Sequence, residues 1–182
     1  RYGDAVLGSP AAPPARGGGT SHLCVIDRDG NAVALTTTVT GYFGSKLMTR
    51  GGVTLNNEVD DFTIAPGVPN MFGLVQSEHN LVGPGKRPYH TIIPAMVTRL
   101  PSPNGGGGES ETLYASYGVM GGFMQPQGHV QVLSALVDHE LDPQSALDLP
   151  RFCIDVEEAG GRVALEEGIP LDVSANLEKM GH

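Results

Sequence analysis

The stretch Gly17-Gly18-Gly19-Thr20-Ser21-His22-Leu23-Cys24-Val25-Ile26-Asp27 decides how this chain is read. Three glycines run into a threonine, and strict alternation follows. His22, Cys24 and Ile26 fall on one face, with Leu23, Val25 and Asp27 on the other. A period of two, closed by Asp29-Gly30, marks a strand and its hairpin turn. The run Asn31-Ala32-Val33-Ala34-Leu35-Thr36-Thr37-Thr38-Val39 supplies the returning strand. Thr20 therefore stands at the open end of a hairpin, behind a flexible glycine leash. A cut before Thr20 would expose an α-amine able to take the proton of its own hydroxyl, which puts nucleophile and base in one residue. The plainer reading is a glycine-rich linker ahead of an ordinary hairpin, and spacing alone favours it.

Composition bounds the rest. The chain has 182 residues, the size of one domain, with 40% hydrophobic residues, enough for a real core. Glycine and proline are abundant (26 and 14) and aromatics make up only 5%, which fits a loop-rich α/β protein and not a helical bundle. The net charge of -9, with no basic run, argues against nucleic acid or an anionic membrane surface as partner. Cys24 and Cys153 lack metal-ligand spacing and read as two separate core thiols, Cys24 on a buried strand. No apolar run approaches the ~18 residues of a membrane span. The chain opens on Arg1, so the absence of a leader carries no weight.

Beyond the hairpin, Thr40 to Ser45 reads as a loop, and Gly51 to Leu55 leads into the acidic block Asn56-Asn57-Glu58-Val59-Asp60-Asp61-Phe62. Ile92 to Val97 and Leu113 to Gly118 read as a strand pair around the proline- and glycine-rich excursion Pro101 to Gly108. Gly121-Gly122 opens a helix to about His139, with Val130, Leu133, Leu136 and Val137 as its apolar stripe. Asp142-Pro143 caps a short helix through Leu149. Val163 to Glu166 reads as a strand, and Pro170 to Met180 as a last helix ended by Gly181.

Several blocks now line up in order from Thr20 to about Arg151: T-S-H-L-C-V-I-D-R-D-G-N-A-V-A, F-G-S, G-V-T-L-N-N-E-V-D-D-F, G-K-R-P and G-V-M-G-G. In them the chain resembles the small subunit of the γ-glutamyltranspeptidase family (γ-glutamyltransferase, glutathione hydrolase), as a divergent member. The resemblance implies an α/β fold of the N-terminal-nucleophile hydrolases, a partial αββα sandwich that is the small-subunit half. It also implies a precursor that cleaves itself at Gly19–Thr20. Residues 1–19 would be the tail of the large subunit and residues 20–182 the catalytic small subunit, truncated at its C-terminus. The large subunit would be the partner and a small γ-glutamyl compound such as glutathione the substrate. No cofactor and no metal are expected. The family leaves the compartment open, a periplasmic or extracellular one included.

The resemblance also assigns roles. Thr20 is the nucleophile and Thr38 holds its hydroxyl. From the residues alone, Thr36 and Thr38 share a strand face and either could face Thr20. Gly121 and Gly122 supply the oxyanion hole, as free N–H groups at a helix start can; a glycine pair there is also a common turn. Glu58 and Asp61 hold the substrate ammonium, where the plainer reading is a solvated acidic turn. Two departures bear on the acyl donor. Thr40 stands where the family has Asn, and His90-Thr91 stand where it has two serines that contact the substrate carboxylate. His22 is read as packing and orienting, not as a base. The alternatives are a glutaryl- or cephalosporin-type acylase on the same fold, and an unprocessed, non-catalytic domain.

Overall fold

A computed structural model describes residues 19–70, 73–101, 110–155 and 161–182. The segment 1–18, expected as linker, lies outside these residues, as does the tip of the excursion at 102–109. Among the described residues, three antiparallel hairpins and three α-helices make up the mixed α/β architecture.

Strands β1 (Ser21–Ile26) and β2 (Ala32–Thr37) form the first hairpin, with His22 opposite Thr36 and Val25 opposite Val33. Its turn is built locally. The Asp27 carboxylate accepts from the Asp29 and Asn31 N–H groups, and Gly30 takes φ +84°, which glycine adopts without a Cβ clash. The hairpin packs on β4 (Thr112–Tyr117), which pairs with β3 (Ala95–Arg99) through a register shift at Val97/Thr98. The β3 strand starts later than its sequence implies, because Ile93 is engaged by a helix side chain, as described below.

Helix α1 (Met124–Val137) carries the core. Met124, Val132, Ala135 and Leu136 bury against Val119 and against Ala146 of α2 (Pro143–Asp148). The expected stripe is therefore corrected. Val130 is 69% exposed and Val137 48%, while Gly128 and His129 face inward. The reason is close approach: a Cβ on Gly128 would sit 2.7 Å from Val119 Cγ1, so the helix can lie flat on residues 118–119 only through its glycine. The α2 cap is as read, Asp142 Oδ1 accepting from the Gln144 and Ser145 N–H groups.

The last hairpin pairs β5 (Phe152–Asp155) with β6 (Arg162–Leu165). Its free edge is held by two α1 side chains. Gln127 Oε1 accepts from the Ile154 N–H at 2.7 Å, and Gln131 bonds both backbone groups of Phe152 at 3.0 Å. Two amides one helical turn apart thus do the work of a neighbouring strand. Helix α3 (Leu171–Met180) ends on Gly181 at φ +99°, as the sequence predicts. Cys24 is exposed and not a core thiol, whereas Cys153 touches the core. Nor is the hairpin's outer face covered: Leu23, Val25, Val33 and Leu35 are each about half exposed. Among the described residues no helix is long and apolar enough to cross a membrane, and no cluster of three or more His, Cys, Asp or Glu could hold a metal ion.

Candidate active site

The first hairpin continues past its named strands. The Gly19 N–H donates to Thr40 O at 3.2 Å and the Val39 N–H to Gly19 O at 3.4 Å. This places Thr20 opposite Thr38, and the Thr20 hydroxyl donates to Thr38 Oγ1 at 3.0 Å. The choice between Thr36 and Thr38 is resolved by register, since Thr36 Oγ1 lies 2.9 Å from His22 Nδ1 two cross-strand pairs further along. Gly19 is no loose leash. A Cβ there would meet Val39 Cγ2 at 2.4 Å, so only glycine leaves room for the Val39 side chain against this backbone. His22 packs its ring on Gly118, and burial, then the nearby His129, hold its pKa below the usual imidazole value. It orients the strand, in keeping with its sequence reading.

Thr38 Oγ1 also accepts from the Thr40 N–H at 2.8 Å. Thr40 itself sits at φ +69°, a left-handed conformation that a β-branched residue rarely takes. That turn aims its hydroxyl at Glu58, with Thr40 Oγ1 donating to Glu58 Oε1 at 2.5 Å. Gly41 N–H is anchored on Asn57 Oδ1 at 2.9 Å.

Glu58 and Asp61 occupy a single 3₁₀ turn, Glu58–Asp61. Asp61 is fully buried, which corrects the picture of a solvated acidic loop. Its Oδ2 accepts from Thr91 Oγ1 at 3.1 Å, while no N–H or O–H donor reaches Oδ1 among the described residues. Burial, and then the adjoining Glu58 carboxyl, push the Asp61 pKa up to about 7. Two carboxyls so placed are best served by a proton between them, or by a cation.

Gly121 and Gly122, at φ +120° and +58°, make the tight turn into α1. Their carbonyls accept from the Met124 and Gln125 N–H groups, and neither glycine N–H has a partner among the described residues. Free donors at a helix start suit a developing negative charge. The expected residues are brought together unevenly. Thr20, Thr38, Thr40, His90, Thr91 and Gly122 line one cavity of about 470 Å³. Gly121 is adjacent, and Glu58 and Asp61 stand behind the wall, reached through the hydroxyls of Thr40 and Thr91.

Two positioning residues escaped the sequence reading. Gln125, only 3% exposed, donates to Thr91 O at 2.7 Å and accepts from the Ile93 N–H at 3.2 Å, tying the His90-Thr91 segment to the helix start. Asn80 donates to Asp61 O at 2.7 Å and accepts from the Tyr89 N–H at 2.8 Å, tying the same segment to the acidic turn. Neither carries a sequence signal beyond being a polar residue near a turn.

A family model described as gamma-glutamyltranspeptidase matches residues 4–182. The chain belongs to the γ-glutamyltranspeptidase family. It is 40% identical over 144 residues to a glutathione hydrolase proenzyme of Pseudomonas sp. (strain A14), covering 79% of this chain and 23% of that protein. The chain thus spans less than a quarter of that relative's length. Among solved structures, a Helicobacter pylori γ-glutamyltranspeptidase mutant matches with a TM-score of 0.72 at 34% identity, over 88% of this chain and 81% of that one. A cephalosporin acylase from Bacillus halodurans matches at 0.68 and 35% identity, over 88% of this chain and 26% of that one. The fold is that of the N-terminal-nucleophile hydrolases, as expected. Thr40, His90 and Thr91, the positions at which the resemblance implied departures from the family, all lie on the cavity wall.

Proposed function

We propose that Gly19–Thr20 is a self-cleavage site and that Thr20, once its amine is free, is the nucleophile of a γ-glutamyl hydrolase or transferase. The observation that carries this reading is the 3.0 Å hydrogen bond from Thr20 Oγ1 to Thr38 Oγ1 on the wall of a cavity shared with Gly122. In processing, Thr20 Oγ1 attacks the Gly19 carbonyl carbon. The C–N bond breaks, the hydroxyl proton passes to the leaving nitrogen to give the free Thr20 amine, and water opens the resulting ester. The Val39 N–H already donates to that carbonyl.

In turnover the Thr20 amine takes the hydroxyl proton as Oγ1 attacks the γ-amide. Gly121 and Gly122 N–H groups hold the tetrahedral oxyanion. The amine then protonates the departing amine, and water or an acceptor amine releases the acyl group from Thr20. Glu58 and Asp61 take the α-ammonium, with Thr40 handing Glu58 toward it, and His90 and Thr91 meet the α-carboxylate. No cofactor enters these steps. Residues 20–182 act as the catalytic small subunit with a large subunit from the same precursor, and the half-exposed outer face of the first hairpin supports such a partner.

An acylase reading has one observation in its favour. Glu58 and Asp61 do not line the cavity, and a glutaryl or β-lactam side chain would not need them. The E58Q/D61N double variant separates the two: a γ-glutamyl enzyme loses its activity and a glutaryl acylase keeps it. The first test is intact mass and N-terminal sequencing of the full-length gene product after incubation at neutral pH. Two fragments, the smaller beginning Thr20-Ser21-His22, are expected. A single folded, uncut chain overturns the catalytic reading in favour of a non-catalytic domain.

A further inference from the structure

The cavity wall has a charge character opposite to that of the chain. The protein carries 20 acidic residues and a net charge of -9, yet among the described residues no Asp or Glu lines the cavity. Its ionisable wall residues are Lys46, His90, Tyr42 and Tyr89. Lys46 is the permanent cation among them. Its ammonium makes no hydrogen bond or ion pair among the described residues.

Lys46 is also held there at a cost. It sits at φ +61°, after Phe43 at +57° and Gly44 at +55°, so the chain turns left-handed repeatedly to present it. The loop is pinned from beneath. The Ser45 N–H donates to Leu55 O at 2.9 Å and the Leu55 N–H to Leu47 O at 3.0 Å. A Cβ on Gly44 would strike Leu55 O at 2.3 Å, so the loop lies flat against that strand-like segment. Thr40 and Gln125 are buried at the floor of the cavity, and Lys46 and Tyr89 are exposed at its mouth. Lys46 and Thr20 line the same cavity, so a donor that acylates Thr20 has its departing amine in the cavity that Lys46 borders.

We propose that Lys46 is a specificity residue for the amine side of the reaction, pairing with the terminal carboxylate of a peptide leaving group or acceptor. This rests on the γ-glutamyl reading above. The site then prefers donors whose departing amine is a short peptide acid over those whose amine ends in an amide or an aryl ring. An unpaired cation on a rigid mouth gains a partner there without reorganisation.

The test uses the full-length, self-processed protein and two donors, glutathione and its C-terminal amide, which differ only in that carboxylate. Wild type is expected to show the lower KM for glutathione. K46Q should raise the KM for glutathione by about threefold to tenfold, the range of an exposed to partly desolvated ion pair, and leave the amide unchanged. K46R should restore the preference. Independently of any variant, the wild-type preference should shrink as salt rises from about 0.01 to 0.5 M, because an exposed pair is screened. Equal KM values for both donors in wild type at low salt, or an equal change for both in K46Q, overturn the assignment while leaving the γ-glutamyl reading intact. No turnover of either donor by processed wild type overturns both.

Discussion

Replacing Thr38 by valine swaps one hydroxyl for a methyl of nearly the same shape and keeps the β-branch that suits a strand. The structure says what is lost. Thr38 Oγ1 accepts from Thr20 Oγ1 at 3.0 Å and from the Thr40 N–H at 2.8 Å. Thr40 is 8% exposed, so water does not readily replace that acceptor. An unpaired buried N–H costs about 1–3 kcal/mol, and it falls on a residue already strained at φ +69°. The second loss is kinetic: a nucleophile freed from its partner wanders, and misplacement by about an ångström costs on the order of a hundredfold in rate. T38V in the full-length precursor should therefore melt lower and release the Thr20 N-terminus about a hundredfold more slowly, followed by intact mass over time. T38S keeps the oxygen and should process within about tenfold of wild type, in line with the usual contribution of one hydrogen bond. Wild-type processing by folded T38V would refute the claim that Thr38 positions the nucleophile.

Two further outcomes follow from the same coordinates. With Asp61 at about pKa 7, well above its ordinary value of 3.8, the folded chain holds a proton that the unfolded chain has released between those limits. Stability should fall as pH rises through that window and flatten above about 7, and D61N should abolish the slope in a series of melts. In the same window Asp61 is protonated, so KM for a γ-glutamyl donor should rise toward low pH by up to about tenfold per unit. A flat KM between pH 5 and 8 would count against Asp61 as the ammonium partner. For Gly128→Ala, helix propensity gains about 1 kcal/mol, but the new Cβ sits 2.7 Å from Val119 Cγ1. Overpacking by about 1–3 kcal/mol should win, lowering the melting point, and the G128A/V119A pair should recover the loss.

What was legible in the sequence was what the chain decides locally. Alternation and Asp29-Gly30 are enough for the first hairpin, because the Asp27 side chain closes its own turn. Asp142-Pro143 and Gly181 mark helix ends through bonds to residues two to four positions away. The burial of α1 was not legible. Hydrophobicity points to Val130 and Val137, whereas the buried face follows from where Gly128 lets the helix touch Val119. For the same reason Cys24 reads as core and is exposed: alternation names two faces of a strand and not which of them is covered. The β5 edge, held by Gln127 and Gln131, and the links through Gln125 and Asn80 are long-range bonds from side chains that look like surface polarity. The site divides along this line. Thr20 stands out through the family resemblance, since spacing alone favours a plain linker before a hairpin, and the burial of Asp61 was legible in neither.

In the proposed function, the three residues Thr38-Val39-Thr40 would join processing and substrate binding in one unit. Thr38 takes the nucleophile's hydroxyl, the Val39 N–H takes the carbonyl that would be cut, and the Thr40 hydroxyl takes Glu58. Three successive residues of an ordinary strand could not do this, since neighbours point to opposite faces. Two of the three contacts come from side chains of the same parity and one from the backbone between them. The left-handed turn at Thr40 then swings its hydroxyl off the sheet toward the acidic turn. The strain at Thr40 is thus tied to a specific gain, the link between a cleavage site on the hairpin and a charge pair on a separate loop. Asn adopts that conformation more readily than Thr. A Thr held there against its preference points to the short bond from Thr40 Oγ1 to Glu58 as what keeps the turn in place.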